Sequence, residues 1–373
     1  MELYIDRDAF LGGLSRVQGI VERRNTPNPI LSHVLLQASE GRLRLTATDT
    51  EMAFIGDFPA NVVTPGEIAI DASSVFQIAK VLPDQTAHLS LGGQNRVEVT
   101  SGSAWYKVKG LPGEDFPPLP DFDGRSTLKL PAGKLKWLID QTGFVVCTDD
   151  NRYGINGAHL EIVDGADGSP MLRMVATDGH RLSYAQIPFD GELGMPSRML
   201  IPRKALGEMK KLCRKDDQIL ELSFGESAAL ITSESERFYF RLIDGEFPDY
   251  RQVVPTSWQR RAVVMREVLN SALKRVAVLA QDKARPVSFS FEPTAVTISS
   301  SHVDLGDARE VVPMELEGDA LAIGFNIRYF QEVLGTLTAE RIVLELGDAL
   351  SPALVREPES ENALLIVMPM RLD

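Results

Sequence analysis

The chain has 373 residues, 44% hydrophobic and 24% charged, enough apolar material for two or three cored domains, which excludes a disordered or low-complexity polymer. Its net charge of −13 excludes a uniformly basic nucleic-acid binder, so any contact with a polyanion must use a locally basic face. Two cysteines without CxxC spacing and five histidines without an HxxxH or HExxH pair exclude a zinc-type site, and no cofactor is expected.

The first residues, MELYIDRDAF, contain no apolar run of the secretory kind, and no stretch reaches the ~18 apolar residues of a membrane span. The expectation is a cytoplasmic protein with reduced thiols and no membrane partner. Apolar spacing then predicts a helix over 8–21, alternating strands around LRLTATDTEMAF, and a second helix over 71–84 with Asp71 as cap. The strand WYKVKGLP leads into GEDFPPL. The same order begins again with a helix over 133–146, strands around LRMVATDGHRL and a helix over 202–216. In that helix Ala205, Leu206, Met209, Leu212 and Cys213 form one apolar stripe, and Pro202 suits the first turn. The strands QILELSFGESAALITS and FYFRLIDG follow, then GEFPDY. A third pass gives a helix over 266–280, strands in PVSFSFEPTAVTIS and a helix over 326–340 capped by Asn326.

Ala47 and Ala176 open matching Ala-Thr-Asp triplets 129 residues apart, and Phe116 and Phe247 of the GEDFPPL and GEFPDY segments are 131 apart. Phe76, Leu206 and Phe330 match within the second helix of each pass. The fold class expected is therefore α+β, with three repeated domains, each of two helices packed on antiparallel sheets, over 1–126, 127–257 and 258–373.

Positive charge gathers on the helices. The 202–216 helix carries Arg203, Lys204, Lys210, Lys211 and Arg214 opposite its apolar stripe, and the 266–280 helix carries Lys274. Such a face would bind phosphates without reading bases. The segment ATDGHRL invites another reading, a hydrolase using Asp178 and His180, but no GxSxG elbow or Gly-rich phosphate loop accompanies it. A repeat scaffold without DNA is the remaining alternative; it would leave the basic helices without a use.

The repeat, VATDGHRL, DGEFPDY and the terminal VMPMRL together resemble the bacterial sliding-clamp family, the β subunits of DNA polymerase III, over the whole chain. The resemblance implies a non-catalytic protein that closes head-to-tail with a second copy around duplex DNA. It implies a peptide cleft that receives the replicative polymerase catalytic subunit, the ATP-dependent clamp loader, and other polymerases and repair proteins. The cleft positions carried over are Ile155, Thr177, Gly179, His180, Arg181, Leu182, Pro248, Val253, Asn326, Tyr329, Ile366, Met368, Pro369, Met370 and Arg371. DNA contacts carry over at Arg24, Arg152 and Tyr153, and the contact between copies at Tyr106, Val108, Val278 and Leu279. Three positions depart from the family pattern: Gly154 stands where a second aromatic is common, Gln252 where an arginine is, and Pro352 where a small polar residue is.

Overall fold

Alternation along the chain builds most of the molecule. In the strand 286–292 Val287, Phe289 and Phe291 are buried while Ser288 and Ser290 are half-exposed, and the strand 295–302 repeats the pattern with Val296 and Ile298. The computed structural model describes residues 1–22, 28–122, 124, 126–149, 151–152, 154–189, 199–280, 285–358 and 360–371. Among the described residues six α-helices interrupt the strands: α1 (Arg7–Val17), α2 (Ala72–Val81), α3 (Ala132–Thr142), α4 (Arg203–Leu212), α5 (Arg266–Val276) and α6 (Ile327–Thr336). Each helix follows one strand and precedes three, so the element order is one strand–helix–three-strand module written six times. The modules work in pairs. The opening strand of each hydrogen-bonds to the second strand of its mate: 2–6 with 86–92 and 66–71 with 33–39, then 126–131 with 219–224 and 200–202 with 157–164. The third pair joins 260–265 to 341–346 and 321–326 to 286–292.

By packing, the chain divides into two units. The first takes Met1–Lys136 and Lys204–Leu242, the second Trp137–Asp190, Ser197–Arg203 and Ile243–Asp373, in their described parts. Each unit holds one twelve-stranded antiparallel sheet. The cause is backbone pairing across repeats. Phe238 pairs with Phe54 between the strands 236–241 and 52–64, and Leu182 pairs with Ile366 between 181–188 and 363–367.

The caps bear out two expectations: Asp71 accepts the N–H of Ser74 at 2.8 Å, and Asn326 accepts that of Arg328 at 3.0 Å. Asp6 caps α1 through the N–H of Ala9, a cap the sequence reading passed over. Pro202 is not in a first helical turn; it ends the strand 200–202, and α4 starts at Arg203. Counting from the caps also moves one equivalence. Val75, not Phe76, shares the fourth helical position with Leu206 and Phe330, and Val75 is buried while Phe76 is half-buried. In the second unit α5 and α6 bury Leu269, Leu273, Phe330, Val333 and Leu334 against Phe289 and Phe325. The Phe330 ring lies 4.7 Å from that of Phe325 and 4.9 Å from that of Phe289.

Candidate functional site

Two hairpins made by the same motif take different tasks. In the first unit the Thr48 hydroxyl donates to the carbonyl of Met52 and accepts the N–H of Thr50, while Asp49 Oδ1 accepts the N–H groups of Glu51 and Met52. In the second unit Thr177 donates to the carbonyl of Arg181 and accepts the N–H of Gly179, and Asp178 Oδ1 accepts those of His180 and Arg181. Asp178 is thereby committed to the turn, which leaves the hydrolase reading without an acid to orient its histidine. Gly179 sits at φ +85°, where a Cβ would also press on the Arg152 guanidinium at 2.8 Å.

The remaining carboxylate oxygen sets the chemistry of the hairpin. Asp178 Oδ2 accepts Arg181 Nε at 3.0 Å. Arg181, 6% exposed, lies over the rings of Tyr329 at 4.6 Å and Phe144 at 5.4 Å. Its Nη1 is 2.6 Å from Glu332 Oε2, an ion pair rather than an aligned hydrogen bond. His180 stacks on Tyr329 with ring centres 6.2 Å apart, and its carbonyl accepts the N–H of Met368 at 2.9 Å.

These bonds shape one wall of an apolar groove of about 250 Å³. It gathers nine of the implied cleft residues: Ile155, Thr177, Gly179, Arg181, Leu182, Pro248, Val253, Ile366 and Met368. Arg152 also lines it, held by a 2.8 Å bond from Nη1 to the carbonyl of Asp178. A neighbouring depression of about 490 Å³ takes His180 and Tyr329, with Arg152, Arg203 and Arg328 on its rim. Asn326, Pro369, Met370 and Arg371 line neither. Asn326 is spent as the α6 cap, and the Met370 N–H bonds to the carbonyl of Gly324 at 2.8 Å, tying the chain end to the strand 321–326.

The sequence reading missed Asp249 and Tyr250, which complete the groove. Tyr250 donates to Glu161 Oε1 at 2.6 Å and accepts from Arg173 at 2.8 Å, and Arg251 reaches Glu161 Oε2 at 2.9 Å. Burial opposes ionisation of Glu161, yet His159 at 3.8 Å, the Tyr250 hydrogen bond and the Arg251 charge outweigh it and hold the carboxyl at about 2. Burial and the bond to Glu161 push Tyr250 up to about 12. The signal in the sequence was the end of DGEFPDY itself, whose tyrosine is the buried one.

Gly154 has a local reason. It stands at φ +91°, and a Cβ there would meet the carbonyl oxygen of Glu246 at 2.6 Å, so no larger side chain fits this backbone.

The basic face is partly committed. Lys204 bonds Asp49 at 2.6 Å, Lys211 bonds Glu208 at 2.8 Å, and Arg214 is paired with Glu236, a carboxylate 2% exposed. Arg203, Lys210 and Lys274 are exposed, and Arg24 and Tyr153 lie outside the described residues. Tyr106 and Val108 are half-buried on the strand 104–111, Val278 is exposed and Leu279 half-buried just after α5.

A thrice-repeated frame of helices on antiparallel sheets, with an apolar groove and an aspartate committed to its own turn, is an architecture of the clamp class. Family profiles described as the DNA polymerase III beta subunit match in three consecutive parts, the N-terminal domain over 1–120, the central domain over 129–249 and the C-terminal domain over 251–371. The chain is 33% identical over 375 residues to the beta sliding clamp of Caulobacter vibrioides NA1000 and 34% over 375 to that of Pseudomonas aeruginosa PAO1, covering 100% of both partners each time. Crystal structures of the sliding clamps from Bartonella birtlesii and Pseudomonas aeruginosa, both bound to griselimycin, superpose with TM-scores of 0.94 and 0.93 at 35% and 33% identity, over 100% of each chain. The chain belongs to the beta sliding clamp family, the beta subunit of DNA polymerase III, a non-catalytic processivity factor in DNA replication. Among the described residues no helix is long and apolar enough to cross a membrane, and no cluster of His, Cys, Asp and Glu could hold a metal ion.

Proposed function

We propose that two copies close head-to-tail around duplex DNA and that the groove tethers the replicative polymerase, the clamp loader and repair proteins by short peptides with aliphatic and aromatic anchors. The observation that carries the tethering is the apolar groove itself, where segments near 155, 177–182, 248–253 and 366–368 converge around about 250 Å³. Leu182, Val253, Ile366 and Met368 supply adaptable apolar walls, and the bonds of Thr177 and Arg181 within the hairpin hold one wall in shape.

Ring closure is supported by two half-open sheet edges. Residues 104–109 have ladder partners only in the strand 96–101, and residues 306–312 only in the strand 295–302, among the described residues. Tyr106 and Val108 lie on the first edge, while Val278 follows the helix packed on the strand 306–317. Pairing these edges would cover both. The exposed Arg203, Lys210 and Lys274, with Arg24, Arg152 and Tyr153, would face the duplex through phosphate contacts loose enough for sliding.

The test is anisotropy titration with a labelled Ser-Leu-Ser-Leu-Phe pentapeptide. Saturable binding that Leu182→Asp abolishes supports tethering; no binding, or binding indifferent to Leu182→Asp, contradicts it.

A further inference from the structure

Beside the groove, and sharing Val253 with it, lies a second depression of about 430 Å³. Its walls include Trp258, Pro352, Glu345 and Asp348, and among the described residues no lysine, arginine or histidine lines it. Trp258 is 46% exposed, an unusual position for an indole, and no ring or cation among the described residues stacks on it. Asp348 is exposed; its Oδ1 accepts the N–H of Leu350 at 2.9 Å and the hydroxyl of Ser351 at 2.8 Å, which fixes the carboxylate at the rim. The Ser351 and Leu350 bonds keep Asp348 below the usual carboxylate range, with Arg260 adding the smallest share. That arginine is held by the carbonyl of Asp319 and, at the edge of the depression, by that of Gly347, and it makes no bond to the Asp348 carboxylate among the described residues. Glu345 is buried against Arg356 and forms the floor. The depression therefore offers an aromatic face next to a fixed negative charge, continuous with the apolar groove.

We propose that this depression is an extension of the partner site that receives a lysine or arginine flanking the apolar anchors of the bound peptide, the cation lying over Trp258 and facing Asp348. The proposal rests on the groove being the peptide cleft. It also gives Pro352 and Gln252, two departures from the family pattern, a shared place, since both line this wall. A proline there adds apolar surface beside the indole, and a glutamine at 252 withholds a positive charge that would repel the incoming cation.

The test compares Ser-Leu-Ser-Leu-Phe with the same pentapeptide extended by Gly-Lys-Lys at its N-terminus or at its C-terminus, and with Gly-Glu-Glu controls, on the full-length protein. One of the two lysine extensions should tighten binding about three- to tenfold. The glutamate extensions should give no gain. Trp258→Ala and Asp348→Asn should each remove most of the gain and leave the pentapeptide unchanged. A pentapeptide that binds with no gain from either lysine extension, or a gain that survives both substitutions, overturns the extension alone. A pentapeptide that fails to bind the wild-type protein overturns the cleft and the extension together.

Discussion

The Thr-Asp pair shows how one local solution serves two purposes. Thr48–Asp49 and Thr177–Asp178 make the same turn with the same donors, and they differ in where the second carboxylate oxygen goes: Asp49 Oδ2 to Lys204, Asp178 Oδ2 to Arg181. The recurrence of Ala-Thr-Asp made the turn legible in the sequence. The setting of Arg181 between Tyr329, Phe144 and Glu332 was not, because those partners are far away along the chain. The same distance hid the Tyr250–Glu161–Arg173 set, whose bonds join residues 89 and 77 apart. Gly179→Ala should cost about 1 kcal/mol in thermal unfolding and weaken pentapeptide binding, since its φ is positive and Arg152 crowds it. Unchanged stability and binding would remove the strain argument. Glu161 gives a pH dependence with a definite sign. Its folded pKa of about 2 lies below the ordinary 4.5, so its contribution is present above pH ~4.5 and fades as pH falls toward 2. Glu161→Gln should destabilise at pH 7 by up to about 3 kcal/mol and flatten the acid limb of Tm against pH. Parallel limbs for mutant and wild type would deny Glu161 that role.

At the scale of elements, helix positions and the Asp71 and Asn326 caps were legible, and the C-terminal ends of α1 and α5 were not. The predicted spans 8–21 and 266–280 overrun α1 and α5 by about a turn, because the chain continues in tighter three-residue turns (Ile20 N–H to Val17, Leu279 N–H to Val276) that keep apolar residues inward. Periodicity cannot separate such an ending from a further helical turn. Charge is subtler still: Arg214 and Lys274 look alike in sequence, yet only Arg214 has a buried carboxylate to neutralise. Arg214→Glu should therefore destabilise the protein by about 2 kcal/mol, whereas Lys274→Glu should leave its melting unchanged. Both should lower salt-dependent association with duplex DNA. Equal thermal shifts for the two would show that the Glu236 pairing carries no weight.

For the whole molecule, three repeats read from the sequence become six modules in pairs, carried on two sheets by backbone pairing between repeats. Repeat length and order were visible because each pass restates its helices and the first two restate a GE(D)FP segment. The half-length period was not, because only element order keeps it and few side chains do. Pairing of the half-open edges between two copies, as proposed, would give a solution mass near 2 × 41.1 kDa, with Val278→Asp shifting the protein toward 41.1 kDa. A monomer at micromolar concentration would leave the edges unexplained. The account turns on topological retention. After loading by a clamp loader, the protein should stay on nicked circular DNA at high salt and leave once the circle is cut; equal retention on circular and linear DNA would contradict it.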